Sequence, residues 1–403
     1  SASWRIPTMG GLRFEFTEPT KGHAPVWHTS YLKRIRTGAF HPSHANKVGG
    51  TWIADSEVGV GGTPLQAGWK RTLIFWDYHD WAKQGRVPVR WLSYLRAEPI
   101  PPGGALTFRM SLRVSRNTDW KHLLQPYKDY FLATYGPTRY EVDHRAMGVA
   151  HINCNVEAIG PKNPYGFHGG MRRFDLAEGI DAFVEATVEP LNRMNGQGMI
   201  VWGQTGQNPR GRMYRTDFDV LPPEVEQNWP KLVARYRDAN LEMGMTTRPS
   251  QLTVRRTWTT DRVLQLSPDE PEQLRMIWQR FDRAIQLGTT MFYLDSFGSR
   301  YDHCRTMKYL RERMGPKIRT FAEHACDVIL PYSSLYFETD FYAAGSRKWA
   351  DKPQYRPRCG PWFWEFSQWL MGPGNVEAIS RLYDRHGEIP EGFESSYEFF
   401  YRH

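Results

Sequence analysis

Apolar residues run through this chain in two rhythms. Over residues 1–138 they come in short segments, Thr51-Trp52-Ile53-Ala54, Thr72-Leu73-Ile74-Phe75-Trp76 and Val89-Arg90-Trp91-Leu92, parted by Gly, Pro and Asp. Segments of this length with turn residues between them are expected of an antiparallel β-sandwich. Gly59-Val60-Gly61-Gly62 reads as a turn within it. Pro101-Pro102-Gly103-Gly104 then turns the chain into residues 105–114, where apolar and polar residues alternate with a period of two, the mark of a half-buried strand. A linker helix is expected over 120–131.

Beyond residue 139 the rhythm becomes strand, loop, helix. Strand candidates are Met147-Gly148-Val149-Ala150-His151-Ile152-Asn153, Gly198-Met199-Ile200-Val201-Trp202, Leu241-Glu242-Met243-Gly244-Met245-Thr246, Thr290-Met291-Phe292-Tyr293-Leu294, residues 317–323 and residues 335–340. Between them helices are expected over 177–194, 230–239 and 305–313, and after Ser267-Pro268-Asp269-Glu270, which supplies capping residues and a first-turn Pro. In that last helix Leu274, Ile277, Trp278, Phe281 and Ile285 form an apolar stripe at helical spacing, and Gly288 closes it. Pro361-Trp362-Phe363-Trp364-Glu365-Phe366 and the segment near Phe393 complete the set. Alternation at this pitch implies parallel strands, so the expected fold is α/β: a (β/α)8 TIM-type barrel over residues 139–403, preceded by the sandwich.

Composition narrows the partners. The chain has 403 residues, of which 40% are apolar and 24% charged, and no run of eighteen apolar residues that would make it a membrane protein. A net charge of +9 is compatible with a polyanion, but the basic residues are dispersed and no nucleic-acid-binding signature stands out, so nucleic acid is not an expected partner. The aromatic share, 14%, is high; flat aromatic faces pack cores, and exposed ones stack on sugar rings. Cys154, Cys304, Cys326 and Cys359 lack C-x-x-C spacing and read as buried thiols. The opening Ser1-Ala2-Ser3-Trp4 has no charged region followed by an apolar core, so a targeting segment is expected to be absent or already removed; a secreted or periplasmic location is favoured.

In a barrel, the residues that end the strands converge on one pocket. In strand order these are His151 and Asn153, Trp202 and Gln204, Thr246 and Arg248, then Asp295, Glu323, Glu338 and Asp340, with Trp362 on a later strand as a stacking or core residue. Amides and carboxylates that bind hydroxyls, beside a Trp that stacks on a ring, describe a carbohydrate site. Asp295 is the sharpest feature, because a strand interior disfavours Asp and this one directly follows an apolar run. Glu323 lies about one β/α repeat further on. Glycoside hydrolysis needs two such carboxyl groups, about 5–5.5 Å apart for retention and about 6.5–9.5 Å for inversion. Glu338 or Asp340 could supply the acid in place of Glu323, and Asp295 could instead cap a helix or pair with Arg300 or Arg305.

No metal is expected, since no second His stands at i+2 or i+4 from His151 or His303, and no cofactor, since no phosphate-binding or dinucleotide motif follows a strand. The expected partner is an oligo- or polysaccharide. The basic surplus adds the idea of an acidic or sulfated sugar held by Arg248, Arg255 or Arg256.

The stretch from Asp119 to Tyr127, Asp-Trp-x-x-x-x-x-Pro-Tyr, together with Tyr293-Leu294-Asp295-Ser296-Phe297-Gly298 and Phe321-Ala322-Glu323, resembles retaining α-glycoside hydrolases. The likeness is greatest to the endo-α-N-acetylgalactosaminidase group, with α-galactosidases and α-glucosidases more distant. It implies Asp295 as the nucleophile and Glu323 as the acid/base. Other functions compatible with the same residues are a sugar-binding barrel without catalysis and a polyanion-binding protein.

Overall fold

The computed structural model describes residues 21–22, 51–54, 59–65, 69–76, 90–96, 102–105, 109–143, 146–152, 156–167, 177–193, 195–207, 221–257, 260–298, 303–323, 326–335 and 369–371. The chain divides into two compact units, Ser1–Thr134 and Tyr135–His403.

The first unit holds antiparallel β-structure. Strands β1 (Lys21–Gly22), β2 (Thr51–Ala54), β3 (Gly59–Pro64), β4 (Trp69–Trp76), β5 (Arg90–Arg96) and β6 (Met110–Ser115) form a sheet in the order β1-β2-β3-β6 and a separate β4-β5 pair. The glycine-rich segment expected to turn is strand β3, bonded to β2 on one edge and β6 on the other. Ladder hydrogen bonds use only the backbone, so pairing on both edges offsets the entropic cost of its glycines.

Strand β6 alternates as expected, but Met110, Leu112 and Val114 are on its more exposed side. The opposite side is tied down by Arg113, whose Nη1 donates 2.6 Å to the carbonyl of His122. His122 lies in helix α1 (Trp120–Tyr135), which buries Leu123, Leu124, Tyr127 and Phe131 at i, i+3 and i+4 spacings.

Among the described residues, the second unit is built on a six-stranded parallel sheet. Its strands are β7 (Ala146–His151), β8 (Gly196–Trp202), β9 (Glu242–Thr247), β12 (Met291–Leu294), β13 (Arg319–Ala322) and β14 (Ser334–Leu335). Helices α2 (Ala177–Arg193), α3 (Pro223–Asp238), α4 (Pro271–Gln286) and α5 (His303–Met314) connect them. Strand order across the sheet follows chain order without reversal, as in a β/α barrel and unlike a doubly wound sheet. The expected strand at 335–340 begins at β14; residues 336–340 and the two later strand candidates lie outside the described residues, and with them Glu338, Asp340 and Trp362.

One excursion went unanticipated. Strands β10 (Gln251–Thr257) and β11 (Thr260–Gln265) make an antiparallel hairpin between β9 and α4. Helix α3 also starts earlier than expected, at Pro223 in its first turn, where a missing N–H leaves no bond unmade; Pro230 is inside it.

Apolar strands that a helix covers make the core. The side chains of β12 are fully buried, and Phe281 of α4 meets Phe292 of β12 edge-on at 4.9 Å. Gly288 (φ 97°) ends α4 as expected: its N–H bonds the carbonyl of Ile285 and that of Thr289 bonds Ala284, the two bonds of a Schellman cap.

Two glycines let strands close up on one another. A Cβ on Gly198 would stand 2.2 Å from the carbonyl oxygen of Glu242 on the paired strand, and one on Gly244 would stand 2.9 Å from that of Met291. Gly198→Ala is therefore expected to force β8 from β9 and lower stability by about 3 kcal/mol, the upper part of the range for overpacked cores. A urea unfolding midpoint equal to that of the wild type would show that the strands accommodate the methyl group.

Of the cysteines expected to be buried, Cys326 is fully so. Cys304 is half-buried as a residue, yet burial of its thiol, helped by Asp327, pushes the thiol up to about 12.

Candidate active site

Asp295 is the first residue after β12 and Glu323 the first after β13. These strands are paired in parallel register, Leu294 opposite Ala322, so the two carboxylates leave the same end of the sheet side by side. Each extends the ladder by one bond: the Asp295 N–H donates to Thr247 (2.8 Å) and the Glu323 N–H to Leu294 (3.1 Å). Neighbouring strands are about 4.8 Å apart. Backbone pairing, rather than a mobile loop, thus sets where both side chains begin.

Both residues are buried, Asp295 at 5% exposure and Glu323 at 7%. A carboxylate withdrawn from water needs donors. Asp295 has two: Arg248 Nε donates to its Oδ2 at 2.6 Å in an ion pair, and the Ser296 hydroxyl donates to Oδ1 at 3.2 Å. Glu323 Oε2 accepts a hydrogen bond from the backbone N–H of Ser296. Ser296 is itself exposed and has φ 52°, a conformation uncommon for a residue with a side chain.

The segment after the pair is tied down. Gly298 takes a positive φ of 107°, donates its N–H to His303 Nδ1 at 2.9 Å, and accepts from the N–H of Cys326 at 3.0 Å. His303 also stacks on Phe297, ring centroids 4.1 Å apart. These contacts assign His303 to holding the loop. No group of three or more potential metal ligands occurs among the described residues.

The remaining strand-end residues divide. Arg248, expected to bind substrate, forms an ion pair with Asp295. Trp202 is 1% exposed and packs against Tyr293 (4.8 Å), so its ring serves the core and not a stacking platform. Gln204 is fully buried, its amide nitrogen donating to the Thr246 carbonyl at 2.7 Å. The reason is common to both: β8 is buried along its whole length, so residues at its end fill the sheet's interior. The backbone of His151 ends β7 beside Trp202, while Asn153 lies outside the described residues. Of the two arginines expected as partners for Asp295, Arg305 pairs with Asp269 and Arg300 lies outside the described residues.

Ser296 and Thr247 were not singled out from the sequence. For Ser296 a signal existed, since a small polar residue between a strand-end Asp and Phe-Gly marks a tight exit from the sheet. The role of Thr247 is a backbone one, which side-chain chemistry does not betray.

No protein-family model matches the chain, and no curated protein matches it. Among solved structures it is similar to an alpha-galactosidase from Thermus thermophilus in complex with p-nitrophenyl alpha-D-galactopyranoside, at 11% identity over 71% of this chain and 55% of that one, with TM-score 0.42. An alpha-N-acetylgalactosaminidase from Bifidobacterium bifidum in complex with GalNAc is similar at 12% identity, over 77% of this chain and 56% of that one, with TM-score 0.48. A cycloalternan-degrading enzyme from Trueperella pyogenes is similar at 10% identity, over 73% and 44% of the two chains, with TM-score 0.42. The chain spans just over half the length of the first two structures.

Proposed function

We propose that this chain is a glycoside hydrolase that cleaves an α-linked oligo- or polysaccharide with retention of configuration, through a glycosyl ester on Asp295. The observation that carries the reading is the placement of two buried carboxylates one residue past the aligned ends of neighbouring parallel strands, where a pair of carboxyl groups can work on one glycosidic bond. The likeness of the 293–298 and 321–323 motifs to retaining α-glycoside hydrolases points the same way. The six parallel strands in this reading belong to a (β/α)8 barrel, and the antiparallel sheets of the first unit to a sandwich.

The chemistry proceeds in two steps. An Asp295 oxygen bonds to the anomeric carbon as the glycosidic C–O bond breaks and Glu323 gives its proton to the leaving oxygen. Glu323, now a carboxylate, takes a proton from water, whose oxygen bonds the anomeric carbon as the ester to Asp295 breaks. Arg248 holds and aims the attacking carboxylate. NMR of the first sugar released from an aryl α-glycoside tests the reading: an α anomer is expected, and an initial β anomer would mean inversion.

The Arg248 ion pair also bears on the substrate. With its Nε–H given to Asp295, Arg248 in this reading acts on the nucleophile, whatever charge the sugar carries. Arg248→Met is expected to lower kcat about 10- to 100-fold, the worth of a hydrogen bond to a charged group, equally for neutral and sulfated substrates. A loss confined to sulfated substrates would return Arg248 to substrate binding.

A further inference from the structure

We propose that Ser296 is a positioning residue that sets the relation between the two carboxyl groups, an inference that rests on the glycosidase reading above. Three observations on this residue converge. Its backbone N–H donates to Glu323 Oε2. Its hydroxyl donates to Asp295 Oδ1, the oxygen that Arg248 does not hold. Its φ of 52° is in the left-handed region, which L-residues avoid.

The strand geometry explains the first observation. Successive N–H groups along a strand point to opposite neighbours, so with the Asp295 N–H on β9 that of Ser296 faces β13, where the Glu323 side chain begins. The left-handed φ of Ser296 then turns the chain out of the sheet directly after that bond. Glycine would reach this conformation at no steric cost. Serine costs more and adds one thing, a hydroxyl beside Asp295. Backbone strain retained at a buried carboxylate pair, in a residue bonded to both members, is where a fold holds reactive geometry.

The two ends of Ser296 therefore do different work. The N–H anchors the carboxyl group that exchanges protons, and the hydroxyl restrains rotation of the Asp295 carboxylate about its last bond. With Oδ2 held by Arg248 and Oδ1 by Ser296, the carboxylate plane is fixed before substrate arrives, the pre-organisation that raises kcat more than it lowers KM.

The test uses the full chain and a panel of 4-nitrophenyl α-glycosides, with wild type and Asp295→Asn measured first. Ser296→Gly keeps the N–H and the conformation but removes the hydroxyl. It is expected to lower kcat about 10- to 100-fold with KM almost unchanged, the loss of one hydrogen bond to a charged group. The thermal midpoint should not fall, since glycine relieves the strain. Ser296→Asn, which tolerates the left-handed region and carries a polar side chain, is expected to recover most of that kcat.

Wild-type kcat in Ser296→Gly would overturn the inference and leave the glycosidase reading intact, provided Asp295→Asn is inactive. A kcat loss accompanied by an equal loss of stability would mark Ser296 as structural and overturn it too. No turnover by the wild type on any glycoside would remove both.

Discussion

Asp295→Asn is expected to reduce turnover of an activated α-glycoside by about 10,000-fold or more, because an amide cannot form and release the glycosyl ester. The substitution is nearly isosteric. The amide oxygen can still accept from Arg248 Nε, which now donates to Oδ2, and the backbone N–H still bonds Thr247. Fold and sugar affinity should therefore survive while chemistry stops. Circular dichroism and a binding isotherm measured beside the rates separate these effects. A variant that keeps a tenth of wild-type kcat would remove Asp295 from the role of nucleophile, and a protein that binds sugars with no turnover even as wild type would be a binding module.

Glu323→Gln is the second large effect, and its pattern matters more than its size. General acid–base catalysis contributes about 100- to 10,000-fold, so substrates with poor leaving groups should lose about that much. A 4-nitrophenyl leaving group departs without help, so the first step on such substrates should survive and the second, which lacks a base for water, should become limiting. Azide, a nucleophile that needs no base, is then expected to restore turnover and yield a glycosyl azide. The Gln side chain retains an oxygen for the Ser296 N–H that Glu323 now accepts, which keeps the loop in place. Unchanged rates on poor leaving groups would pass the acid role to another carboxylate, with Glu338 and Asp340 as the residues to substitute next.

The parallel β/α unit was legible because its signals are local and repeated. Apolar runs ending in polar residues give β8, β9, β12 and β13 within one or two residues, and the stripe from Ile277 to Phe281 gives α4. Asp295 stood out by the same logic, a charge where a buried run stops. The β10-β11 hairpin is less legible: Leu252 with Leu264 and Thr253 with Val263 are β-forming pairs, but they are a local antiparallel excursion inside a stretch whose dominant period is strand, loop, helix. Gly59-Val60-Gly61-Gly62 misled for a different reason: whether glycines turn or extend depends on which strands lie beside them, and β6 is some fifty residues away in sequence.

Within the site, position was legible and partnership was not. The sequence places Arg248 at the end of β9, but only the pairing of β9 with β12 puts its guanidinium on Asp295. Trp202 and Gln204 have the chemistry of sugar ligands, yet a strand buried on both faces takes them into the core. Ser296 acts through a backbone angle and an N–H, neither of which residue type specifies.

The most direct test of the account is to trap the intermediate. Incubation with a fluorinated α-glycosyl fluoride, which forms the ester faster than water removes it, should add one glycosyl group to the protein. Peptide mass spectrometry is expected to find that group on Asp295, with none on Glu323. Turnover without any adduct, or an adduct on another carboxylate, would contradict the proposed nucleophile.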